Sequence, residues 1–148
     1  MPNVSDIYNF EQLRDNVSTS GQPRAEEFAS LRAHGVDAVI NLALPTSDNA
    51  LDNEGSLVTN LGMSYHQIPV DFAAPTEDEL RVFGALLDGL AHKNVHVHCA
   101  MNLRVSAFMF RYLTERGVDD AAATTVIMRR WLPKMDAVWR AFSRHPDA

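Results

Sequence analysis

Apolar residues recur along this chain in two patterns, one typical of strands and one typical of helices. Short apolar or alternating runs predict strands over residues 17–23 (ending in a turn), 36–44, 64–70 and 95–98. Helices are predicted over residues 24–34, 54–61 and 76–94, with a further helix beginning near residue 104. The tail from 119 to 145 predicts two helices broken near Pro133. Residues 7–13 predict a short strand or helix at the edge of the fold.

Strands and helices therefore alternate along the chain, which is typical of an α/β fold with a central, mostly parallel sheet flanked by helices. Gly35, Gly62 and Gly117 each stand just past a predicted helix, where glycine commonly ends one. In a parallel sheet the carboxyl ends of the strands lie at the same edge. Asp71 and Cys99 each directly follow a predicted strand, so we expect both at that edge.

The sharpest change from strand to helix surrounds the single cysteine of the chain. Apolar and polar residues alternate over residues 95–98, and this period ends at Cys99. A helix that starts near Arg104 has an apolar face formed by Val105, Phe108, Met109 and Tyr112. A strand, a tight loop and a helix in succession point backbone N–H groups, and the positive end of the helix dipole, at whatever lies over the loop. The sequence therefore predicts an anion site.

Three side chains give this loop its chemistry. Cys99 stands at a helix N-terminus beside a guanidinium, a position that favours the nucleophilic thiolate. Arg104 is permanently charged and presents a planar fork of donors that matches two oxygens of a phosphate or sulfate. His98 is expected to position the loop through a hydrogen bond rather than to bind a metal. We therefore expect a phosphate or sulfate ion to fit this loop.

The loop also resembles a known signature. The run of His98 and Cys99, four residues, then Arg104 resembles the phosphate-binding loop of the protein tyrosine phosphatase superfamily, and its length resembles the bacterial branch of beta-lactamase-hydrolase-like phosphatases. Further matches in the order and spacing of that branch are SGQP at 20–23, VINL at 39–42 and IPVD at 68–71. The resemblance implies a cysteine-phosphatase-like fold and a phosphate monoester hydrolase of the tyrosine or dual-specificity type.

The same resemblance implies a role for each site residue. Cys99 attacks phosphorus, Arg104 binds the phosphoryl oxygens, and Asp71 protonates the leaving oxygen. The phosphate would be bound by the loop residues Ala100, Met101, Asn102, Leu103 and Arg104. Residues expected to support the loop from nearby are His98, Ser106, Ser20 and Gln22. The family's mechanism passes through a cysteinyl-phosphate and implies neither a metal nor another cofactor.

The chain departs from the family pattern in and just after the loop. Most members of the superfamily have five residues between cysteine and arginine where this chain has four, and the shorter branch usually has glycine where Asn102 stands. Asparagine is the non-glycine residue most often found at positive φ, so we expect a left-handed backbone at Asn102. A serine or threonine often follows the arginine directly and helps to expel the thiolate, whereas here Val105 precedes Ser106.

Two other functions stay open on the sequence alone. A six-residue loop from cysteine to arginine also resembles rhodanese-like sulfurtransferases, whose persulfide chemistry needs no acid for an ester oxygen. A catalytically silent phosphate-binding module is the third hypothesis, indicated by the missing glycine and by Val105. Asp71 has a structural alternative as a brace for its own loop. Glu77, Asp78 and Glu79 fit the acidic first turn of a helix better than a catalytic role.

Composition narrows the expected setting and partners. With 148 residues, 46% of them hydrophobic, the chain suits a single cysteine-phosphatase-like domain over residues 1–148. A net charge of −6 without a lysine or arginine cluster disfavours nucleic acid and anionic membranes as partners. One cysteine forms no internal disulfide, and no secretory leader or membrane span is evident, so we expect a cytoplasmic protein. The expected partner is a phosphorylated substrate, either a phosphoprotein or a small phosphate ester.

Overall fold

The computed structural model describes residues 3–148 and is built around a sheet of short strands. Within these residues the strands are β1 (Glu11–Arg14), β2 (Val17–Ser20), β3 (Ala38–Asn41), β4 (Ser64–Gln67) and β5 (Val95–His98). The α-helices of this described part are α1 (Glu27–Ala33), α2 (Glu54–Asn60), α3 (Glu77–Gly89), α4 (Leu103–Thr114), α5 (Asp120–Ala123), α6 (Val126–Trp131) and α7 (Ala137–Ser143). Short 3-10 helices cover Val4–Asp6 and Leu132–Lys134.

The strand order in the sheet is β1-β2-β5-β3-β4, and the three pairings beyond β1 with β2 are parallel. At the centre of the sheet, His98 of β5 lies opposite Ser20 of β2 and Asn41 of β3. The residues that follow these three strands therefore emerge side by side at one edge. The predicted α/β fold with a central, mostly parallel sheet is confirmed.

The alternation along β5 separates two apolar cores. Its valines pack on the side of the main core, which contains the apolar face of α4. Its histidines lie on the other side, where Phe10 stacks on His96 with ring centroids 5.9 Å apart and Phe28 meets His98 edge-on at 6.1 Å. A second core formed by the N-terminal segment, α1 and α2 covers this side. The strand that leads into Cys99 is thus buried on both faces.

Local signals in the sequence set the ends of several helices. A capping box begins α3, in which Glu79 N donates to Thr76 Oγ1 at 3.1 Å and Thr76 N donates to Glu79 Oε1 at 3.0 Å. Gly35, Gly62 and Gly117, after α1, α2 and α4, have φ of +104°, +88° and +88°. These left-handed conformations are readily adopted by glycine, as predicted for helix ends.

Some predicted boundaries differ from the observed ones. The apolar runs at 36–44 and 64–70 are longer than β3 and β4, because buried residues such as Leu42 and Val70 lie in loops beyond the paired strands. The tail forms three short helices, α5, α6 and α7, where the sequence predicted two, and Pro133 lies in a 3-10 turn. Between residues 3 and 148, no helix has the length and apolar character needed to cross a membrane.

Candidate active site

Cys99 lies at the end of the central strand, between the ends of its two neighbours. Its N–H donates to Ser20 O at 3.4 Å, and Leu42 N donates to His98 O at 2.8 Å across the gap on the other side. Only 1% of the cysteine surface is exposed. Cys99 is therefore buried at the carboxyl edge of the sheet, which is where ligands bind in parallel α/β folds.

The loop from Cys99 to Arg104 is held from outside through its carbonyl groups. Each carbonyl from residue 99 to 102 accepts at least one hydrogen bond from a donor that supports the loop. Cys99 O accepts from His98 Nδ1 at 3.1 Å, and Ala100 O accepts from Gln22 N at 3.0 Å and from Asn49 Nδ2 at 3.1 Å. Met101 O accepts from Asn9 Nδ2 at 3.0 Å, and Asn102 O accepts from Ser106 Oγ at 2.6 Å. The surrounding segments thus fix the orientation of four successive peptide planes.

This outward orientation of the carbonyls has a direct consequence for the N–H groups. In a trans peptide the C=O of one residue and the N–H of the next point in opposite directions. The residues described contain no cis peptide bond. Within residues 3–148, none of the N–H groups from 100 to 104 donates to a protein acceptor. The N–H groups at the start of α4 lack intrahelical partners as in any helix, and a row of five such groups beside a thiol at a helix N-terminus indicates a site for an anion.

Asn102 makes the turn from the loop into α4. Its φ of 69° and ψ of 13° are left-handed, as predicted for the position at which the related branch has glycine, and α4 begins at the next residue. Asparagine adopts this conformation at a modest cost, so the replacement of glycine leaves the backbone path intact.

Arg104 is a buried cation that has no carboxylate partner among residues 3–148. It is 6% exposed, and its Nη1 donates to Val70 O at 2.8 Å. Arg111 on the same helix is 3% exposed but pairs with Glu77 and Glu115, both at 2.8 Å. Within the described part of the chain, Arg104 makes no such pair, and its Nε and Nη2 donate to no protein acceptor. Buried charges are normally paired, so the free edge of this guanidinium indicates an anionic ligand.

Asp71 follows Val70 in an exposed loop that is anchored on both sides. Arg104 binds the carbonyl of Val70, and Trp139 Nε1 donates to Phe72 O at 2.8 Å. The Asp71 carboxylate accepts from Ala73 N at 2.9 Å through Oδ1, which is the bracing contact considered from the sequence. The brace uses one oxygen of an exposed side chain. It therefore keeps the loop in shape while the acid role of Asp71 stays a prediction.

The buried carboxylate of Glu54, which the sequence did not predict as part of the site, forms a hydrogen bond with His98. Glu54, at the start of α2, is 4% exposed and lies 2.6 Å from His98 Nε2, while its other oxygen accepts from Gln22 Nε2 at 2.7 Å. Burial raises the pKa of Glu54, but the hydrogen bond and charge of His98, with help from Gln22 and Tyr65, outweigh burial and hold this pKa below its usual value. The two ring nitrogens of His98 thus contact Cys99 O and Glu54 Oε2, which fixes the orientation of the ring beneath the loop.

The remaining supporting residues predicted from the sequence divide into two groups. Gln22 contacts the loop directly through its N–H, and Ser106 bonds Asn102 O while accepting from Thr125 Oγ1 at 2.8 Å. The Ser20 hydroxyl instead bonds His96 Nε2 at 2.7 Å and Gly21 O at 2.6 Å. Ser20 therefore reaches the loop only through its backbone carbonyl.

Gly21 explains part of the SGQP motif. A Cβ at this residue would lie 2.6 Å from the Tyr8 ring and 2.8 Å from Ala100 O. Real Cβ atoms do not approach other atoms so closely, so only glycine lets β2 turn this near the loop. The motif is thus a packing requirement of the loop as well as a turn signal.

His96 makes a testable contribution to acid instability. Burial lowers the pKa of His96 well below its usual value, and the like charges of His98 and His34 add to this. The unfolded chain therefore takes up a proton below about pH 6.5 that the folded chain refuses, so stability falls as pH decreases from there, by up to about 1.4 kcal/mol per pH unit. Urea unfolding from pH 7 to pH 5 should show a flatter slope for His96→Asn. The exposed His92→Asn should keep the original slope; equal slopes in all three proteins would contradict the assignment.

Comparison with known proteins identifies the family. No family model matches the chain, and no curated protein matches it. A DUF442 protein from Shewanella putrefaciens CN-32, named as a candidate phosphatase, is 34% identical, with a TM-score of 0.86 over 96% of this chain and 93% of that chain. The chain belongs to the DUF442 family. The resemblance predicted from the sequence is confirmed.

More distant structures share the fold of this chain. The core catalytic domain of the PP-IP phosphatase SIW14 from S. cerevisiae is 16% identical, with a TM-score of 0.71 over 93% of this chain and 85% of that chain. TpbA from P. aeruginosa, solved in complex with pTyr, is 18% identical, with a TM-score of 0.64 over 83% of this chain and 72% of that chain. At such identities these neighbours show the fold alone.

Proposed function

We propose that this DUF442 protein hydrolyses phosphate monoesters through a cysteinyl-phosphate on Cys99. The observation that carries the proposal is the combination of five backbone N–H groups without protein acceptors and a buried Arg104 without a carboxylate partner within residues 3–148. Together they form a binding site for a group with several anionic oxygens. The TpbA complex with pTyr makes an aryl phosphate the first substrate to test.

The first step transfers the phosphoryl group to sulfur. The Cys99 thiolate attacks phosphorus in line, so an S–P bond forms while the ester P–O bond breaks. Arg104 and the loop N–H groups hold the equatorial oxygens, where charge develops. Asp71, in its protonated form, gives its proton to the leaving oxygen, so the product leaves as a neutral alcohol or phenol.

The second step returns the enzyme to its starting state. Asp71, now ionised, accepts a proton from a water molecule that attacks phosphorus. The S–P bond breaks, inorganic phosphate leaves, and the electron pair returns to Cys99 as thiolate. Arg104 fixes Asp71 in this scheme through Val70, because it binds the carbonyl of the residue directly before the aspartate. We propose a tyrosine or dual-specificity type of phosphatase, acting on a phosphoprotein or a small phosphate ester without a metal ion.

The test is to identify what Cys99 carries after exposure to each class of substrate. Asp71→Asn incubated with an aryl phosphate and quenched in acid should gain the mass of one phosphoryl group on Cys99, because the water step is slowed. The same protein exposed to thiosulfate should gain nothing. A persulfide after thiosulfate, with neither phosphate adduct nor phosphate release, would assign the protein to sulfur transfer. Phosphate binding without turnover would indicate the silent module.

The acid role of Asp71 predicts a dependence on the leaving group. Asp71→Asn should lower kcat/KM about 100-fold for phenyl phosphate but less than about tenfold for 4-nitrophenyl phosphate, since kcat/KM reports the first step and only the poorer leaving group needs a proton there. Asp78→Asn is the matched control, because this exposed carboxylate on the first turn of α3 pairs with Arg81 and should leave both rates unchanged. An equal loss on both substrates would move the acid role to another residue.

A further inference from the structure

The N-terminal turn at residues 7–10 lies against the phosphate-binding loop. Asn9 Nδ2 donates to Met101 O at 3.0 Å, and Asn102 Nδ2 donates in return to Asn9 O at 2.9 Å. The two asparagines are 93 positions apart in sequence and form a reciprocal pair. A segment whose role was not evident from the sequence is therefore bonded to the centre of the loop.

Both asparagines have an unusual backbone. Asn9 and Asn102 have φ of 53° and 69°, in the left-handed region that glycine adopts more readily. What asparagine adds at these positions is a side-chain amide. The Asn102 amide is fully buried, and its Nδ2 also donates to Thr19 Oγ1 at 3.2 Å on β2. Its Oδ1 has no donor within residues 3–148, which is unfavourable, so the bonds of Nδ2 must offset that cost.

These two hydrogen bonds act on the peptide plane between Met101 and Asn102. Met101 O and Asn102 N belong to one peptide plane, and they point in opposite directions. By binding Met101 O from outside, Asn9 keeps the N–H of Asn102 turned to the inner side of the loop. The Asn102 side chain, tied to Asn9 O and Thr19 Oγ1, fixes the residue on the other side of this plane. The pair therefore controls one of the five donors available to an anion.

We propose that Asn9 is a positioning residue for the phosphate-binding loop, acting with Asn102 to hold the Met101–Asn102 peptide in its binding orientation. The proposal rests on the proposed function, since it assumes that the anion is a phosphoryl group. It also explains the departure from glycine at Asn102. The asparagine keeps the left-handed backbone and ties the shortened loop to the N-terminal turn.

The test uses glycine substitutions, which keep the left-handed backbone and remove only the side-chain bonds. Asn9→Gly should raise the inhibition constant of inorganic phosphate and lower kcat/KM for an aryl phosphate, each by about fivefold to tenfold, because one donor is no longer held in place. Asn102→Gly should give a similar loss. The double variant should lose more than either single variant, because the two substitutions remove different hydrogen bonds, from Asn9 Nδ2 to Met101 O and from Asn102 Nδ2 to Asn9 O.

Asn16→Ala is the matched control. Asn16 lies in the turn between β1 and β2 and donates through Nδ2 to Lys93 O at 3.2 Å, at the opposite end of β5 from the loop. Its loss should lower the free energy of unfolding without changing the inhibition constant of phosphate. All assays are run at a temperature at which urea unfolding shows every variant to be folded, so stability alone cannot change the result.

The outcomes separate this proposal from the proposed function. Wild-type constants in Asn9→Gly, or the same loss in Asn16→Ala, would overturn the positioning role while leaving the phosphatase assignment intact. If the wild-type protein binds phosphate but does not hydrolyse esters, the positioning role is tested by the phosphate dissociation constants of the same variants, without kinetics. If the wild-type protein neither binds nor hydrolyses phosphate, both proposals are overturned.

Discussion

Cys99→Ser is expected to lower kcat for an aryl phosphate on the order of 10⁴-fold or more, because a serine hydroxyl in place of the thiolate is a far weaker nucleophile. Arg104 and the loop N–H groups would remain, so the variant should still bind inorganic phosphate with an inhibition or dissociation constant close to that of the wild-type protein. Steady-state kinetics and phosphate titration on the same preparation measure the two quantities.

The environment of Cys99 makes the control on folding informative. The side chain is 1% exposed, so a substitution that disturbed packing would appear in the free energy of unfolding. We expect a change of about 1 kcal/mol or less, because serine differs little from cysteine in size. Unchanged turnover in Cys99→Ser would exclude a covalent mechanism on this residue. Loss of phosphate binding together with turnover would show that the substitution had disturbed the loop.

The part of the fold that could be predicted depends on local signals. The capping box at Thr76, the left-handed glycines and the change of period at Cys99 each act within a few residues, and each is found in the structure. The short tail helices could not be separated in this way, since segments of four to seven residues contain too few turns for a stripe to appear. Tertiary packing sets their boundaries instead.

In the candidate site as well, features that depend on neighbouring residues could be predicted, and features that depend on distant contacts could not. The strand order delivers Asp71 and Cys99 to one edge, and the left-handed backbone of Asn102 was anticipated from residue type. Glu54 and Asn9 were not anticipated, because their partners lie 44 and 92 positions away, and neither position carries a local signature. The roles assigned to individual side chains stay predictions, since similarity in fold does not test them.

The two buried arginines of α4 allow a sharper experiment than a single substitution. Arg104 and Arg111 are 6% and 3% exposed and lie on the same helix, but only Arg111 has carboxylate partners within residues 3–148. Replacement by lysine keeps the charge at either position and removes the planar fork. The two variants should therefore differ in which property they change.

Arg104→Lys is expected to lower kcat/KM for an aryl phosphate by about 10²- to 10³-fold, because an ammonium group cannot present two parallel donors to the phosphoryl oxygens as charge develops on them. Its free energy of unfolding should change little, since the one hydrogen bond that the guanidinium makes to residues 3–148 goes to Val70 O. Arg111→Lys should do the reverse, losing bonds to Glu77, Glu115 and Phe142 O and so lowering stability while kcat/KM stays near the wild-type value. Steady-state kinetics of both variants test the expected change in kcat/KM, and urea unfolding tests the expected change in stability. Near-normal kinetics in Arg104→Lys would make this buried arginine a structural residue that only anchors the loop before Asp71.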